Sequence, residues 1–343
     1  MNASLRHLLD WQTYDDATWE RLVERARTHH AQGKQWSQAA AGKSIGLLFF
    51  NPSLRTRTSM ELAAAQLGAH ATTLNIGQGT WGFAWGDKGM VMNGNEAEHI
   101  QEAVNVLSRY YDALGVRVFA SGTDYAMDRA DRLINTFADA ASVPVVNMES
   151  AFYHPCQALG DAGTMMTHFD GDVRKKKFVL AWCYHPRALP MAVPNSALLT
   201  ASRLGMDVTL ACPPEYMLDD HVIQLAQSYT NAKNASLSIT HDLDAACEDA
   251  DVIYAKAWGG KPLYKGPEHD AGLRAGYMDW RISEDHLRSS ADGRFMHCLP
   301  VRRNVVVDDG VLDGNQTLHL LQAEYRLHAQ KAILEHAWNL LPR

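Results

Sequence analysis

Short apolar runs, each released into a polar turn and then a helix-spaced segment, recur along this chain and point to parallel sheets covered by helices. The most informative case begins with Ile45 to Phe50, which reads as a buried parallel strand. Met60, Leu62 and Leu67 continue at helical spacing, and Gly68 stands where a helix C-cap belongs. Between strand and helix lies Asn51-Pro52-Ser53-Leu54-Arg55-Thr56-Arg57-Thr58-Ser59. A turn rich in hydroxyls and arginine thus opens a helix at the carboxyl end of a strand. The unpaired N–H groups and the helix dipole there suit a phosphate. Arg55 and Arg57 would add charge-assisted hydrogen bonds. The plainer alternative is an N-capped helix with two solvated arginines.

The same alternation places strands at Ile45–Phe50, Thr72–Asn75, Ala113–Arg117 and Val143–Val146 in the first half, with a helix over about Glu98 to Arg109. In the second half it places them at Phe178–Trp182, Asp207–Ala211, Ser236–Ile239, Val252–Tyr254 and Phe295–Met296. The expected fold class is α/β, with two doubly wound parallel-sheet domains. A length of 343 residues suits two domains of ordinary size. The boundary is expected near Glu149 to Cys156, giving domains of residues 1–152 and 153–321. The stretch 322–343 is expected to be a long amphipathic helix. Open parallel sheets bind ligands at the carboxyl ends of their strands, so turns at such ends are the candidate site.

The net charge of −7 offers no basic field for nucleic acid. No apolar run approaches the roughly 20 residues that span a bilayer, and Met1 to His7 lacks the apolar core of a signal peptide. The five cysteines (156, 183, 212, 247 and 298) are scattered, without a Cys-x-x-Cys pair. That pattern suits reduced thiols in a cytoplasm. Among sixteen histidines there is no His-Glu-x-x-His and no zinc-finger spacing. No metal and no cofactor is expected.

Two further segments follow strand-like runs: His154-Pro155-Cys156-Gln157 and His297-Cys298-Leu299-Pro300-Val301-Arg302-Arg303-Asn304. With the Ser53–Arg57 turn they resemble, in order, the three signatures of the transcarbamylases. The resemblance runs from about Leu5 to the C-terminal helix. It implies the transcarbamylase fold, with the active site in the cleft between the domains and the C-terminal helix packing back onto the first. It implies transfer of a carbamoyl group from carbamoyl phosphate to an amine. Ser53, Leu54, Arg55 and Thr56 would hold the phosphate. Arg117, His154, Gln157 and Arg326 would reach the carbamoyl phosphate, with Thr56, Arg117 and His154 polarising its carbonyl. Cys298 and Leu299 would bind through their backbone carbonyls. Cys298 beside His297 also permits a thiolate nucleophile, although the family uses no covalent intermediate.

The Asp-x-x-x-Ser-Met-Gly type loop by which ordinary ornithine carbamoyltransferases bind free ornithine is not found. Tyr254-Ala255-Lys256-Ala257-Trp258-Gly259-Gly260 stands in its place. An aspartate suits an ammonium, whereas Lys256 suits a carboxylate or acyl oxygen. Tyr184-His185-Pro186-Arg187, Pro194-Asn195-Ser196, Gln78 and Trp81 resemble the N-acylornithine carbamoyltransferases. That likeness implies that Glu149, Lys256 and Arg302 hold an N-acyl-L-ornithine, and that Trp81 reaches a neighbouring subunit's site in a homotrimer. It also implies a role in arginine biosynthesis.

In this group the loop Asn93–His99 decides acyl size. Acetyl-specific members carry a glutamate at the position aligned with Ala97, and Val306 stands where the acetyl branch can carry a modified lysine. Both favour N-succinyl-L-ornithine over N-acetyl-L-ornithine. A one-residue slip would put Glu96 or Glu98 at that position instead. Ordinary ornithine carbamoyltransferase is the further alternative. A nicotinamide dehydrogenase would need a Gly-x-Gly-x-x-Gly that is missing here, and a silent paralogue would have lost a phosphate arginine, His154 or Gln157.

Overall fold

The structure, a computed structural model, describes residues 7–86 and 89–342. The expectations for Met1 to Arg6, and for Arg343 at the end of the last helix, lie outside those residues. The described chain gathers into two compact units. One takes in the chain up to Ser121, Ala126–Leu159 and everything from Arg326 on; the other takes in Gly122–Tyr125 and Gly160–Tyr325. The division thus falls inside the helix Pro155–His168, a few residues beyond the expected boundary.

The first unit holds strands β1 (Ser44–Phe49), β2 (His70–Asn75), β3 (Phe83–Ala84), β4 (Glu98–His99), β5 (Ala113–Arg117) and β6 (Val145–Glu149). Four of them form a parallel sheet in the order β2-β1-β5-β6, while β3 and β4 pair separately. Every residue of β5 and β6 is buried, as expected of strands covered on both faces. From β1 the chain winds outward to β2, and from β5 it winds the other way to β6. The carboxyl ends of β1 and β5 therefore flank a topological switch point, where such sheets leave a crevice. Phe49 lies opposite Arg117 there, and Phe50 N–H donates to the Arg117 carbonyl at 3.0 Å.

The second unit holds β7 (Lys177–Trp182), β8 (Asp207–Ala211), β9 (Leu237–Thr240), β10 (Val252–Lys256) and β11 (Arg294–Met296). They form a parallel sheet in the order β11-β10-β7-β8-β9, with its switch point between β7 and β10. Val179, Ala181, Ile253, Ala255 and Phe295 are core residues of this sheet, and Val306 is buried against it.

The strand expected at Val143–Val146 runs instead over Val145–Glu149. Polar Asn147 and Glu149 read as an exit from the sheet, yet both are buried with partners. Residue 148 is an extra residue on β6: Val116 lies opposite Asn147 but Arg117 opposite Glu149, a bulge that turns the strand end. The helix expected from Glu98 starts at Ile100, because Glu98 and His99 pair with Phe83 and Ala84. The last helix spans His319–Ala337. Its later part belongs to the first unit, where Glu335 accepts two 2.6 Å hydrogen bonds from Arg25 and lies 3.1 Å from His29.

Candidate active site

The helix Leu54–Gln66 starts where β1 ends because Ser53, in extended conformation, caps it: Ser53 Oγ accepts the Thr56 N–H at 3.2 Å. Gly68, at φ +84°, follows the helix in the left-handed conformation that glycine tolerates. The Leu54 side chain points to solvent (78 % exposed), Arg55 is half-buried and Thr56 is buried. Arg57 does not join them as expected. It is exposed and its Nε donates to Glu61 at 3.1 Å, because one helical turn separates the two on the solvent face.

Arg326 reaches this turn from the last helix. Its Nη2 donates to Thr56 Oγ1 at 3.1 Å and its Nη1 to Gln157 Oε1 at 2.8 Å. The Gln157 N–H in turn approaches His154 Nδ1 at 3.4 Å. An accepting Nδ1 leaves the proton on His154 Nε2, which lies 3.6 Å from Glu149 Oε2. Glu149 forms a buried ion pair with Arg117, whose guanidinium sits 4.5 Å from the Phe119 ring centroid. Thr56, Arg326, Gln157, His154, Glu149 and Arg117 thus form one unbroken chain of contacts, all buried. It joins the turns after β1 and β6 to the end of β5. The guanidinium groups outnumber the one carboxylate, so the place favours an anion. Glu149, expected against the second substrate, here has Arg117 as its cation. Cys156, one helical position past Pro155, is inert: burial pushes its thiol up to about 12.

In the second unit the turn after β11 is held from several sides. The His297 N–H donates to Gln322 Oε1 at 2.9 Å, Gln322 Nε2 donates to Asp161 at 2.7 Å, and Tyr254 OH donates to the same carboxylate at 3.1 Å. The Leu299 N–H donates to His297 Nδ1 at 2.9 Å, and Leu299 has φ +56° ahead of a cis bond to Pro300. Cys298 is partly exposed in this turn. Lys256, at the end of β10, is buried and its Nζ donates to the Ala257 carbonyl at 3.0 Å. Arg302 Nε donates to His185 Nε2 at 2.9 Å. That contact requires a neutral His185 with its proton on Nδ1, bonded to the Arg187 carbonyl. Burial lowers the His185 pKa, outweighing the Arg187 carbonyl, and the nearby Arg302, Lys256 and Arg274 charges add to it.

Trp81 and Ala97 are exposed and stand outside the chain of contacts; Trp81 Nε1 donates to Glu98 Oε2 at 2.8 Å. Two residues that hold the turn after β6, Asn147 and Asp131, carry no signal in the sequence, and His185, though within a quoted segment, gives no sign there that its ring seats Arg302. Each is a single polar residue whose partners lie far along the chain or in a loop, and no spacing rule marks such a residue. Among the described residues no helix is long and apolar enough to cross a membrane, and no group of three or more His, Cys, Asp or Glu could hold a metal ion.

Residues 6–167 match the family model of the aspartate/ornithine carbamoyltransferase carbamoyl-P binding domain, and residues 190–337 match that of the Asp/Orn binding domain. The chain is 43 % identical to an N-acetylornithine carbamoyltransferase of Xanthomonas campestris pv. campestris, over 96 % of this chain and 97 % of that one. It is 34 % identical to an N-succinylornithine carbamoyltransferase of Bacteroides thetaiotaomicron, over 88 % and 89 %. Among solved structures, a glutamate-to-alanine mutant of an N-acetyl-L-ornithine transcarbamylase, complexed with carbamyl phosphate and N-succinyl-L-norvaline, superposes with a TM-score of 0.93 at 44 % identity, covering 97 % of this chain and 99 % of that one.

Proposed function

The chain belongs to the aspartate/ornithine carbamoyltransferase family, and from that premise we propose that it carries the carbamoyl group of carbamoyl phosphate to the side-chain amine of an N-acyl-L-ornithine. The products are an N-acyl-L-citrulline and phosphate, a step of arginine biosynthesis. The observation that carries the reading is the Arg326 guanidinium joined to both Thr56 and Gln157, which ties the anion-suited turn after β1 to the His154 turn after β6.

Ser53, the Leu54 N–H, Arg55 and Thr56 take the phosphate, as helix N-termini take anions. Arg117, the Nε2–H of His154 and Thr56 face the carbamoyl oxygen, where charge develops as the amine adds. Gln157, fixed by Arg326, orients the carbamoyl amide. The amine nitrogen bonds to the carbonyl carbon, the carbon–oxygen bond to phosphate breaks, and the departing phosphate accepts the amine proton. Cys298 and Leu299 bind through their carbonyls; Glu149, Lys256 and Arg302 serve the acylated amino acid. We read the working particle as a cytoplasmic homotrimer in which Trp81 serves a neighbouring site.

For the acyl group, overall likeness supports N-acetyl-L-ornithine: the acetyl-named relative is nearer (43 %) than the succinyl-named one (34 %). This reverses the order given by the Asn93–His99 loop. N-succinyl-L-ornithine remains the second reading because Ala97 is small, exposed and uncharged. In the related enzyme, replacing a glutamate by alanine gave a protein solved with N-succinyl-L-norvaline. Side-by-side transfer to ornithine, N-acetylornithine and N-succinylornithine decides it. Preference for the acetyl compound supports the first reading and preference for the succinyl compound the second; turnover of free ornithine alone overturns both.

A further inference from the structure

The turn that carries Glu149 and His154 is held in a costly shape. Glu149 has φ +154°, outside the region where side-chain-bearing residues rest. Such a conformation persists only where its surroundings over-determine it. Asn147 supplies part of that hold: its Oδ1 accepts the Glu149 N–H at 2.9 Å, and its Nδ2 donates to the Leu9 carbonyl and to Ser150 Oγ, each at 2.8 Å. Ser150 Oγ, having accepted from Asn147, has its own proton to give, with Asp131 Oδ2 the nearer acceptor and the Tyr153 carbonyl, at 3.1 Å, the other. The Ala151 N–H donates to Asp131 Oδ1 at 3.1 Å, and the Phe152 N–H also bonds the carboxylate. Asp131 and Ser150 are both buried.

Two backbone N–H groups, which can only donate, and the Ser150 hydroxyl converge on Asp131, and an ionised carboxylate accepts from all three at once. We propose that Asp131 is a positioning residue for carbamoyl transfer: as a carboxylate it gathers Ser150, Ala151 and Phe152, and so holds Glu149 and His154 in working register. The role rests on the functional reading above, through His154. Asp131 touches neither substrate; it acts through the turn.

Burial raises the Asp131 carboxyl to about 7, against the Ser150, Ala151 and Phe152 hydrogen bonds that lower it. Asp10, on the segment before the helix Asp16–Gln32, faces it and pushes the same way as burial. Asp128, on the preceding turn, accepts the Asp131 N–H through its carbonyl and bonds Ser121 through its carboxylate. A raised carboxyl favours folding when protonated: that contribution is full below the unfolded pKa of 3.8 and is lost as pH rises through about 7. Positioning needs the opposite, ionised form. Activity and this group's contribution to stability therefore run in opposite directions across neutrality, which a purely structural role would not produce.

The test compares wild type with Asp131→Asn. Asparagine keeps the left-handed backbone (φ +50°) without strain but removes the charge and one accepting oxygen, so the Ser150 hydroxyl turns from residue 131 to the Tyr153 carbonyl. The expected result is a wild-type kcat that falls as pH drops through about 7. The variant's kcat should be lower by about tenfold at pH 8, flat across that range, with the KM for carbamoyl phosphate nearly unchanged. Wild-type kcat and pH profile in a variant that merely unfolds at a different temperature would overturn the proposal. The His154 imidazole resonance, followed by NMR without substrate, separates this from failure of the functional reading. It shifts in Asp131→Asn if Asp131 sets the turn, and stays in place if it does not, whatever the wild type's turnover.

Discussion

The Arg326 guanidinium donates to Gln157 Oε1 at 2.8 Å, so a residue of the last helix fixes the side chain that closes the His154-Pro155-Cys156-Gln157 turn. The fork geometry lets its second amino group hold Thr56 at the same time. Replacing Arg326 by alanine frees both at once. We expect kcat/KM for carbamoyl phosphate to drop by on the order of a hundredfold, about 3 kcal/mol. Arg326→Lys, a single point charge, should recover only a small part. Steady-state kinetics of the two variants reads this directly, and equal recovery by lysine would contradict the two-pronged role.

Cys298 is expected to bind and not to attack. Cys298→Ala should retain turnover within about tenfold of wild type, since its assigned contact is a backbone carbonyl that alanine also supplies. Mass spectrometry of wild type quenched with carbamoyl phosphate should show no carbamoyl adduct on Cys298. An adduct that forms and decays at the turnover rate would reinstate the nucleophile.

A glutamate placed at position 97 tests the acyl loop. In Ala97→Glu, a second carboxylate would meet the distal carboxylate of a succinyl group. Turnover of N-succinylornithine should fall relative to N-acetylornithine by roughly tenfold or more. An unchanged ratio would mean that Ala97 does not line the acyl site and that the alignment of this loop is shifted.

The helix Asp16–Gln32 is pinned to the last helix by a buried cluster with a definite pH signature. Burial alone would raise the Glu335 carboxyl, but hydrogen bonds from Arg25 and His29 outweigh it and hold its pKa below the usual value. Burial lowers the His29 pKa, against the opposing pull of Glu335. Both groups bind protons less readily in the folded than in the unfolded chain. Stability is therefore present above about pH 6.5 and lost on acidification, first through His29 and then through Glu335. Glu335→Gln should cost about 2–3 kcal/mol at pH 7.5 and, by removing the pull that raises the His29 pKa, steepen the loss of stability between pH 7.5 and 5.5. Denaturant unfolding at both pH values reads the difference between wild type and variant, from which the opposite contribution of Asp131 cancels; a difference that shrinks on acidification would refute the assignment.

The three candidate turns were legible as turns because each is local. Ser53 to Arg57, His154 to Gln157 and His297 to Pro300 are short runs, and strand alternation places them at carboxyl ends. Arg117 and Arg326 became visible only through resemblance, since nothing near Arg326 in sequence announces that it meets Thr56, 270 residues away. Strand ends were misjudged where buried polar residues continue a strand, as Asn147 and Glu149 do on β6. Asp131 was invisible for a related reason. Its partners are two backbone N–H groups and a serine about twenty residues on, and an isolated aspartate before Arg132 reads as an ordinary surface residue. The proposed acyl preference was read from one small residue in an exposed loop, where overall similarity and local chemistry point in different directions.

Group transfer onto an acylated ornithine must yield a ureido product for every phosphate released. Its most direct test measures phosphate released and ureido product formed in one mixture of the protein, carbamoyl phosphate and either N-acetyl- or N-succinylornithine. Equal amounts of the two products are expected, with dependence on the acylated amine and loss of both in Arg326→Ala. Phosphate released without ureido product, or product formed only with free ornithine, would contradict it.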